Sequence, residues 1–191
     1  MVDDQERSAA VDHAYREHAQ DLYRLAFGIL RDGDAAVDAI QVAFARAYER
    51  WGQYDPNRPL LPWLHGIVAH EALDALRRRR VRWISVAAMP DRQPSGSRSP
   101  GADLAADVAE RAAIDAGLAQ LKPIARAAVL LRHLYGYDYA EIGRLLGTSP
   151  GNVGTLLSRA HAQLRELLAE LGPSPEASAT HPTTRPLDEA R

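Results

Sequence analysis

Apolar positions along this chain recur with a helical period rather than the alternating period of a strand. Tyr15, Leu22, Leu25, Ile29 and Leu30 mark one face of a first helix. Asp32-Gly33-Asp34 breaks it, and Asp34 is the expected cap of a second. The second helix carries Val37, Ile40, Phe44, Ala47, Tyr48 and Trp51 on its apolar face, with Asp38, Gln41, Ala45 and Glu49 opposite. Pro56 and Pro59 make Gln53 to Leu61 a loop, and Pro62 suits the first position of a third helix. That helix runs through Trp63, Leu64, Ile67, Val68, Leu73 and Leu76 into Arg77-Arg78-Arg79-Arg80-Val81-Arg82-Trp83.

The pattern then lapses. Residues from about 85 to 102 are rich in Pro, Ser and Gly and bury too little apolar surface to order themselves, so they read as a linker. Beyond it, Leu104, Val108, Ile114, Leu118 and Leu121 predict one or two helices. Pro123 starts another, with Ile124, Ala127, Ala128, Leu131 and Leu134 inward and Gly136 as a left-handed stop. Asp138 and Glu141 form a capping-box pair opening a short helix to Leu146. Gly147-Thr148-Ser149 is a tight turn, and Ser149-Pro150 caps a last helix burying Val153, Leu157, Ala160, Leu164, Leu167 and Leu171. Residues 172–191 read as a disordered tail. The expected fold is all-α: two small helical domains, residues 1–83 and 104–171, joined by a flexible linker at 84–103. The second is a helix-turn-helix domain of winged-helix-like or four-helix form.

Composition narrows the functions. The chain has 191 residues, 46% hydrophobic and 25% charged, with formal net charge −2. It is not basic as a whole, so any contact with nucleic acid must come from local clusters. It has no cysteine, which removes disulfides, thiolate metal sites and thiol nucleophiles. No apolar run approaches the roughly 18–20 residues of a membrane span, and Met1 to Arg7 lacks a signal-peptide pattern. A cytoplasmic protein without membrane insertion is expected.

The strongest local signal is the helix–turn–helix from Asp138 to Leu168. In such a unit the second helix lies in the major groove with its N-terminal residues at the base edges. Thr148, Ser149, Pro150, Gly151, Asn152, Thr155, Leu156, Ser158, Arg159 and Gln163 are the turn and exposed positions. Asn and Arg can bond base edges, and Ser and Thr suit phosphates or bases. The ordinary alternative is a helical hairpin in a core. The run Arg77–Arg82 is, alone, best read as solvated charge complementing a helix C-terminus; as a site it would clamp phosphates. Trp63, Trp83 and Tyr54 could stack on exposed bases, although aromatics at helical spacing are more often core. His65, His70, Glu71 and Asp74 lie near one another on one helix, but only His70 and Asp74 have i, i+4 spacing and nothing completes a metal set. With no phosphate loop, HExxH or nucleophile elbow, no catalysis, metal or cofactor is expected.

The order of segments resembles the extracytoplasmic-function sigma factors of RNA polymerase, over about residues 10 to 170. Tyr23-Arg24-Leu25-Ala26 and Asp38-Ala39-Ile40-Gln41-Val42-Ala43-Phe44 are similar to that family's D-x-x-Q-x-x-F helix. Trp63 to His70, with Asp74 and Arg77, is similar to W-L-x-x-I-A-x-N-x-x-x-D-x-x-R. Tyr139 to Val153, followed by Arg159-Ala160 and Leu164-Arg165, resembles the E-I-A-x-x-L-g-i-s-x-G-T-V stretch. The resemblance implies docking on core RNA polymerase through Asp38, Gln41, Ala45 and Tyr48, with Phe44 behind them. It implies capture and melting of the promoter −10 element by Asn57, Arg58, Trp63, His70, Asp74, Arg77, Arg78 and Arg80. It implies reading of the −35 element by Thr148, Ser149, Pro150, Asn152, Thr155, Ser158 and Arg159. Its implied partners are core polymerase, promoter DNA and an anti-sigma factor.

The chain departs from the family pattern at Val37, where an acidic residue is usual, and at His70, where Asn is usual. Gly154 and Leu156 stand where basic phosphate contacts are common, and Gly151 and Gly154 each cost the last helix up to about 1 kcal/mol relative to Ala. Weak −35 binding by the second domain alone is therefore expected. Two other readings compete: a stand-alone helix–turn–helix regulator, and a degenerate sigma-like protein that docks without initiating.

Overall fold

The structure, a computed structural model, describes residues 4–85 and 105–171, with side chains at 4–81, 112–167 and 169. The expected linker core at 86–104 and tail at 172–191 lie outside the described residues, as do the side chains of Arg82, Trp83, Leu104, Val108 and Leu171. Seven α-helices and no strand occur among the described residues: α1 Asp4–Leu30, α2 Gly33–Glu49, α3 Leu60–Ser85, α4 Ala105–Gln120, α5 Pro123–His133, α6 Tyr139–Leu146 and α7 Pro150–Leu171. Helices α4 to α7 thus form the four-helix version of the second domain, without a wing.

Several boundaries differ from the sequence reading. Asp32, not Asp34, caps α2, because its carboxylate reaches the Ala35 amide at 3.1 Å. The helix α1 closes through Arg31, which takes the left-handed φ of 59°, a conformation that costs a side-chain-bearing residue roughly 1–2 kcal/mol. Trp51–Gln53 is a short 3-10 turn, leaving residues 54–59 as loop. α3 begins at Leu60, so Pro62 sits in its third position, still among the first four amides that have no intrahelical acceptor.

Inward and outward faces also shift. Val37 is 45% exposed and stands with Asp38 on the open side of α2, while Ala36, Ile40, Ala43, Phe44 and Ala47 fill the core. Leu134 is 62% exposed because α5 ends one residue before it. Leu156, expected outward, packs against the core. Tyr15 and Ile114 are half-exposed, Tyr15 lying edge-on to Phe44 at 5.0 Å between ring centroids.

Helices α1, α2 and α3 pack on one another, and α5 and α6 then pack on α1 and α3, so the two halves share one core. The approach is close at Gly28, where a Cβ would stand 2.7 Å from a Leu130 methyl. Arg126, buried at 7% exposure, spans the seam. Its guanidinium donates to the carbonyls of Ile29 (2.7 Å), Ala119 (2.9 Å) and Leu121 (3.1 Å). These carbonyls end α1 and α4, where a cation meets the negative ends of two helix dipoles. Burial pulls the Arg126 pKa down, with Arg31 adding to the effect, but a guanidinium remains charged at any ordinary pH. Arg31 also bridges the halves through Asp115 at 2.9 Å.

Candidate nucleic-acid interface

Three surfaces carry the residues singled out in the sequence. The first is the outer face of α2. Asp38, Gln41 and Ala45 are exposed there beside Val37 and Val42. Phe44 is 7% exposed and supports this face from behind. Tyr48 is half-buried; its hydroxyl donates to Asp4 at 2.6 Å, and the Arg7 guanidinium lies 4.3 Å from its ring centroid. Those contacts hold the Asp4 carboxyl below its ordinary range, the Tyr48 bond first and Arg7 after it.

The second is a cleft of about 630 Å³ between the halves. One wall comes from the loop and α3, with Tyr54, Arg58, Trp63, His70 and Asp74; the other is Tyr137, Glu141, Arg144 and Leu145. Trp51, Tyr54 and Trp63 form an aromatic cluster, with Tyr54 to Trp63 at 5.3 Å and Trp51 to Trp63 at 6.0 Å. Trp63 is held by that cluster yet lines the cleft, so it is both packing and available surface. The loop is braced: the Tyr54 hydroxyl donates to the Arg58 carbonyl at 2.7 Å, and Asp55 accepts from the Asn57 amide at 3.0 Å and its side chain at 3.1 Å. Asn57 is therefore spent on an Asx turn and does not line the cleft. His70 shares a hydrogen bond with the Gly66 carbonyl at 2.8 Å through Nδ1. A carbonyl can only accept, so Nδ1 carries the proton and Nε2 is free to accept.

Below the cleft floor, Glu71 is 2% exposed and pairs with Arg46 at 2.9 Å, while its second oxygen has no partner among the described residues. Arg46, Arg50, Tyr137 and Arg144 were not among the expected site residues. Arg46 and Arg50 had a faint signal as two cations one helical turn apart; Tyr137 and Arg144 had none, because only the packing of the second half brings them here.

The arginine run divides. Arg77, Arg78 and Arg80 are exposed, whereas Arg79 turns in and donates to Asp32 at 3.2 Å, bracing the α2 cap. Arg77 also meets Asp74 at 3.0 Å.

The third surface is the start of α7. Asp138 and Glu141 make the full capping box of α6, and Gly147 ends α6 in the left-handed region at φ 64°. A Cβ on Gly143 would lie 2.8 Å from the Thr148 carbonyl, so the turn requires glycine there. Ser149 caps α7, accepting from the Asn152 amide at 3.2 Å. The outward polar groups are partly engaged: Asn152 donates to Thr148 Oγ1 at 2.7 Å, and Thr155 donates to the Gly151 carbonyl at 3.1 Å. Ser158 and Arg159 are exposed, and Val153, Leu157 and Ala160 anchor the helix. No group of three or more His, Cys, Asp or Glu is arranged to hold a metal among the described residues. No helix there is long and apolar enough to cross a membrane.

A helical unit with an aromatic, arginine-bordered cleft, followed by a helix–turn–helix, is an arrangement suited to a DNA-binding transcription factor. Sigma-70 region 2 matches residues 14–82, and Sigma-70 region 4 matches residues 111–164. RNA polymerase sigma factor CarQ of Myxococcus xanthus is 33% identical over 162 residues, covering 85% of this chain and 91% of CarQ. The ECF sigma factor SigM of Mycobacterium tuberculosis is 34% identical, covering 85% of this chain and 79% of SigM. The sigma factor RpoE, solved with the anti-sigma factor NepR from Bartonella quintana, shares the fold at TM-score 0.68 and 20% identity, over 83% of this chain and 96% of RpoE. The chain belongs to the extracytoplasmic-function sigma factors. It acts in promoter-specific transcription initiation with core RNA polymerase and catalyses no reaction itself.

Proposed function

We propose that the three surfaces divide the work of initiation. Asp38, Gln41 and Ala45 dock on core polymerase, with Phe44 and Tyr48 stiffening the helix behind them. The cleft wall of Arg58, Trp63, His70 and Asp74 takes the −10 strand, with Arg77, Arg78 and Arg80 on phosphates and Asn57 shaping the loop. The α7 start, from Thr148 and Ser149 through Pro150, Asn152 and Thr155 to Ser158 and Arg159, reads the −35 element. The aromatic cleft is the observation that carries this reading: it offers stacking faces and a polar floor, the two things an unstacked base needs.

In the free chain that cleft is walled by α6, so the −10 surface opens only when the second half moves away. The start of α7 faces outward but has its Asn and Thr engaged locally, consistent with a −35 contact that depends on polymerase to hold it. We further propose that the protein works in the cytoplasm and that an anti-sigma factor holds it inactive; RpoE, which shares its fold, was solved with the anti-sigma factor NepR.

Reconstitution with core polymerase and mapping of transcript starts tests the assignment. Start-site-specific transcripts that weaken with Trp63→Ala are expected. Polymerase binding without any transcript points to the degenerate docking reading, and operator binding without polymerase points to a stand-alone regulator.

A further inference from the structure

We infer that His65 is a proton-operated latch: its neutral ring holds the second half over the cleft, and its protonation releases it. This rests on the reading of the cleft as the −10 surface, but the latch itself is a property of the free chain. His65 stands on α3 and is 0% exposed. Its Nε2 lies 3.0 Å from Asp21 Oδ2 on α1, and its Nδ1 lies 2.8 Å from the Tyr137 hydroxyl. The Tyr135 ring covers it at 4.1 Å between centroids, and the Tyr135 hydroxyl donates to the Asp21 carbonyl at 3.2 Å. A carboxylate only accepts, so Nε2 carries the proton, and in the neutral ring Nδ1 then accepts from the Tyr137 hydroxyl.

The partners are split between the halves in a way that couples charge to opening. Asp21, which favours the imidazolium, is in the same half as His65 and stays beside it when the halves part. Tyr135 and Tyr137, which exclude water from the ring, belong to the other half and leave. The open form therefore keeps the carboxylate and gains water, so it binds the second proton more tightly than the closed form. Burial pulls the His65 pKa below its ordinary 6.5 in the closed form, outweighing the bond and charge of Asp21, with His18 adding to the lowering. The other charged or titratable groups facing this cluster are Arg24 on α1, near Tyr135, and Glu141 on α6, near Tyr137. Both phenols stay protonated, since burial raises them, Tyr137 to about 12.

A histidine whose pKa is lower in the closed form than in the open form supports closure fully above the open-form pKa and ceases to do so as pH falls through the lower, closed-form pKa. Each unit of difference between the open and closed pKa changes the ratio of open to closed about tenfold.

The chain has no cysteine, so Ser8→Cys with Ala162→Cys places one spin label on each half of the full chain. The distance between them is measured from pH 8 to pH 5.5, with far-UV circular dichroism recorded alongside. A longer-distance population that grows as the pH falls, at constant helicity, is expected. His65→Gln, which can donate to Asp21 and accept from Tyr137 without titrating, should stay closed throughout; Tyr137→Phe should be partly open already at pH 8; His18→Gln should keep the response. An unchanged distance, opening of His65→Gln in step with the parent, loss of the response in His18→Gln, or opening only together with lost helicity would each overturn the latch. Run-off transcription at pH 7.5 separately tests the sigma reading, and its failure leaves the distance result standing.

Discussion

The cleft and the recognition helix present opposite arrangements. The cleft residues come from α2, the loop and α3, are braced by an aromatic cluster and the ion pair of Arg46 with the buried Glu71, and face the other half of the chain. The start of α7 comes from one contiguous stretch, rests on one capping residue and a glycine turn, and faces outward. A preassembled but covered surface is controlled by opening. An uncovered surface made of engaged, short side chains is controlled by what holds it against DNA. On the proposed assignment, the two promoter contacts thus differ in what limits them: access for the first, intrinsic affinity for the second.

Substitutions can break that contrast, the largest effect first. Arg126→Met removes the clamp on the carbonyls of Ile29, Ala119 and Leu121 and leaves buried acceptors unmatched. Urea unfolding should show a loss of about 3 kcal/mol, since hydrogen bonds from charged groups contribute roughly 1.5–3 kcal/mol. If stability is unchanged, the covered cleft is not held by this seam. Trp63→Ala removes the stacking face. At about 1–3 kcal/mol per stacked base, start-site-specific transcription should fall roughly 5- to 150-fold, with core binding, measured by fluorescence anisotropy, unaltered. A fall caused by lost polymerase binding would move Trp63 to the docking surface.

Gly143→Ala places a methyl group against the Thr148 carbonyl, and overpacking of this kind costs about 1–3 kcal/mol. Its melting temperature should drop, and −35-dependent transcription should fall more than transcription from a pre-melted −10 template. Asn152→Ala is the mildest: loss of the Thr148 bond and of any base contact should lower promoter affinity less than tenfold, read as gel-shift binding of the holoenzyme. A larger loss would show the uncovered surface to be the stronger contact and would reverse the comparison.

Much of the fold was legible in advance because its signals are local. The capping box of Asp138 and Glu141, the left-handed Gly136 and Gly147, and the Ser149-Pro150 start of α7 all stand where the chain announces them. The sequence is ambiguous where neighbouring residues compete for one role. Asp32 took the cap from Asp34, and Leu60 took the helix start from Pro62, because either choice satisfies the free amides of a first turn. Val37 and Leu134 look like core in sequence but lie a quarter turn or one residue beyond it. The cleft was half legible: Trp63, His70 and Asp74 were visible on one helix, while Arg46 with Glu71, and Tyr137 with Arg144, were not, because their partners are distant in the chain.

The amino-acid sequence by itself determined the helices, the caps of α6 and α7, the helix–turn–helix and the order of the segments, since each depends on residues within a few positions of one another. Only the tertiary structure decided that Arg79 braces the α2 cap through Asp32, that Arg126 ties two helix ends together, and that His65 is enclosed by Asp21 and Tyr137. Those roles depend on which carbonyl, carboxylate or phenol arrives from tens of residues away, and on the removal of water when it does.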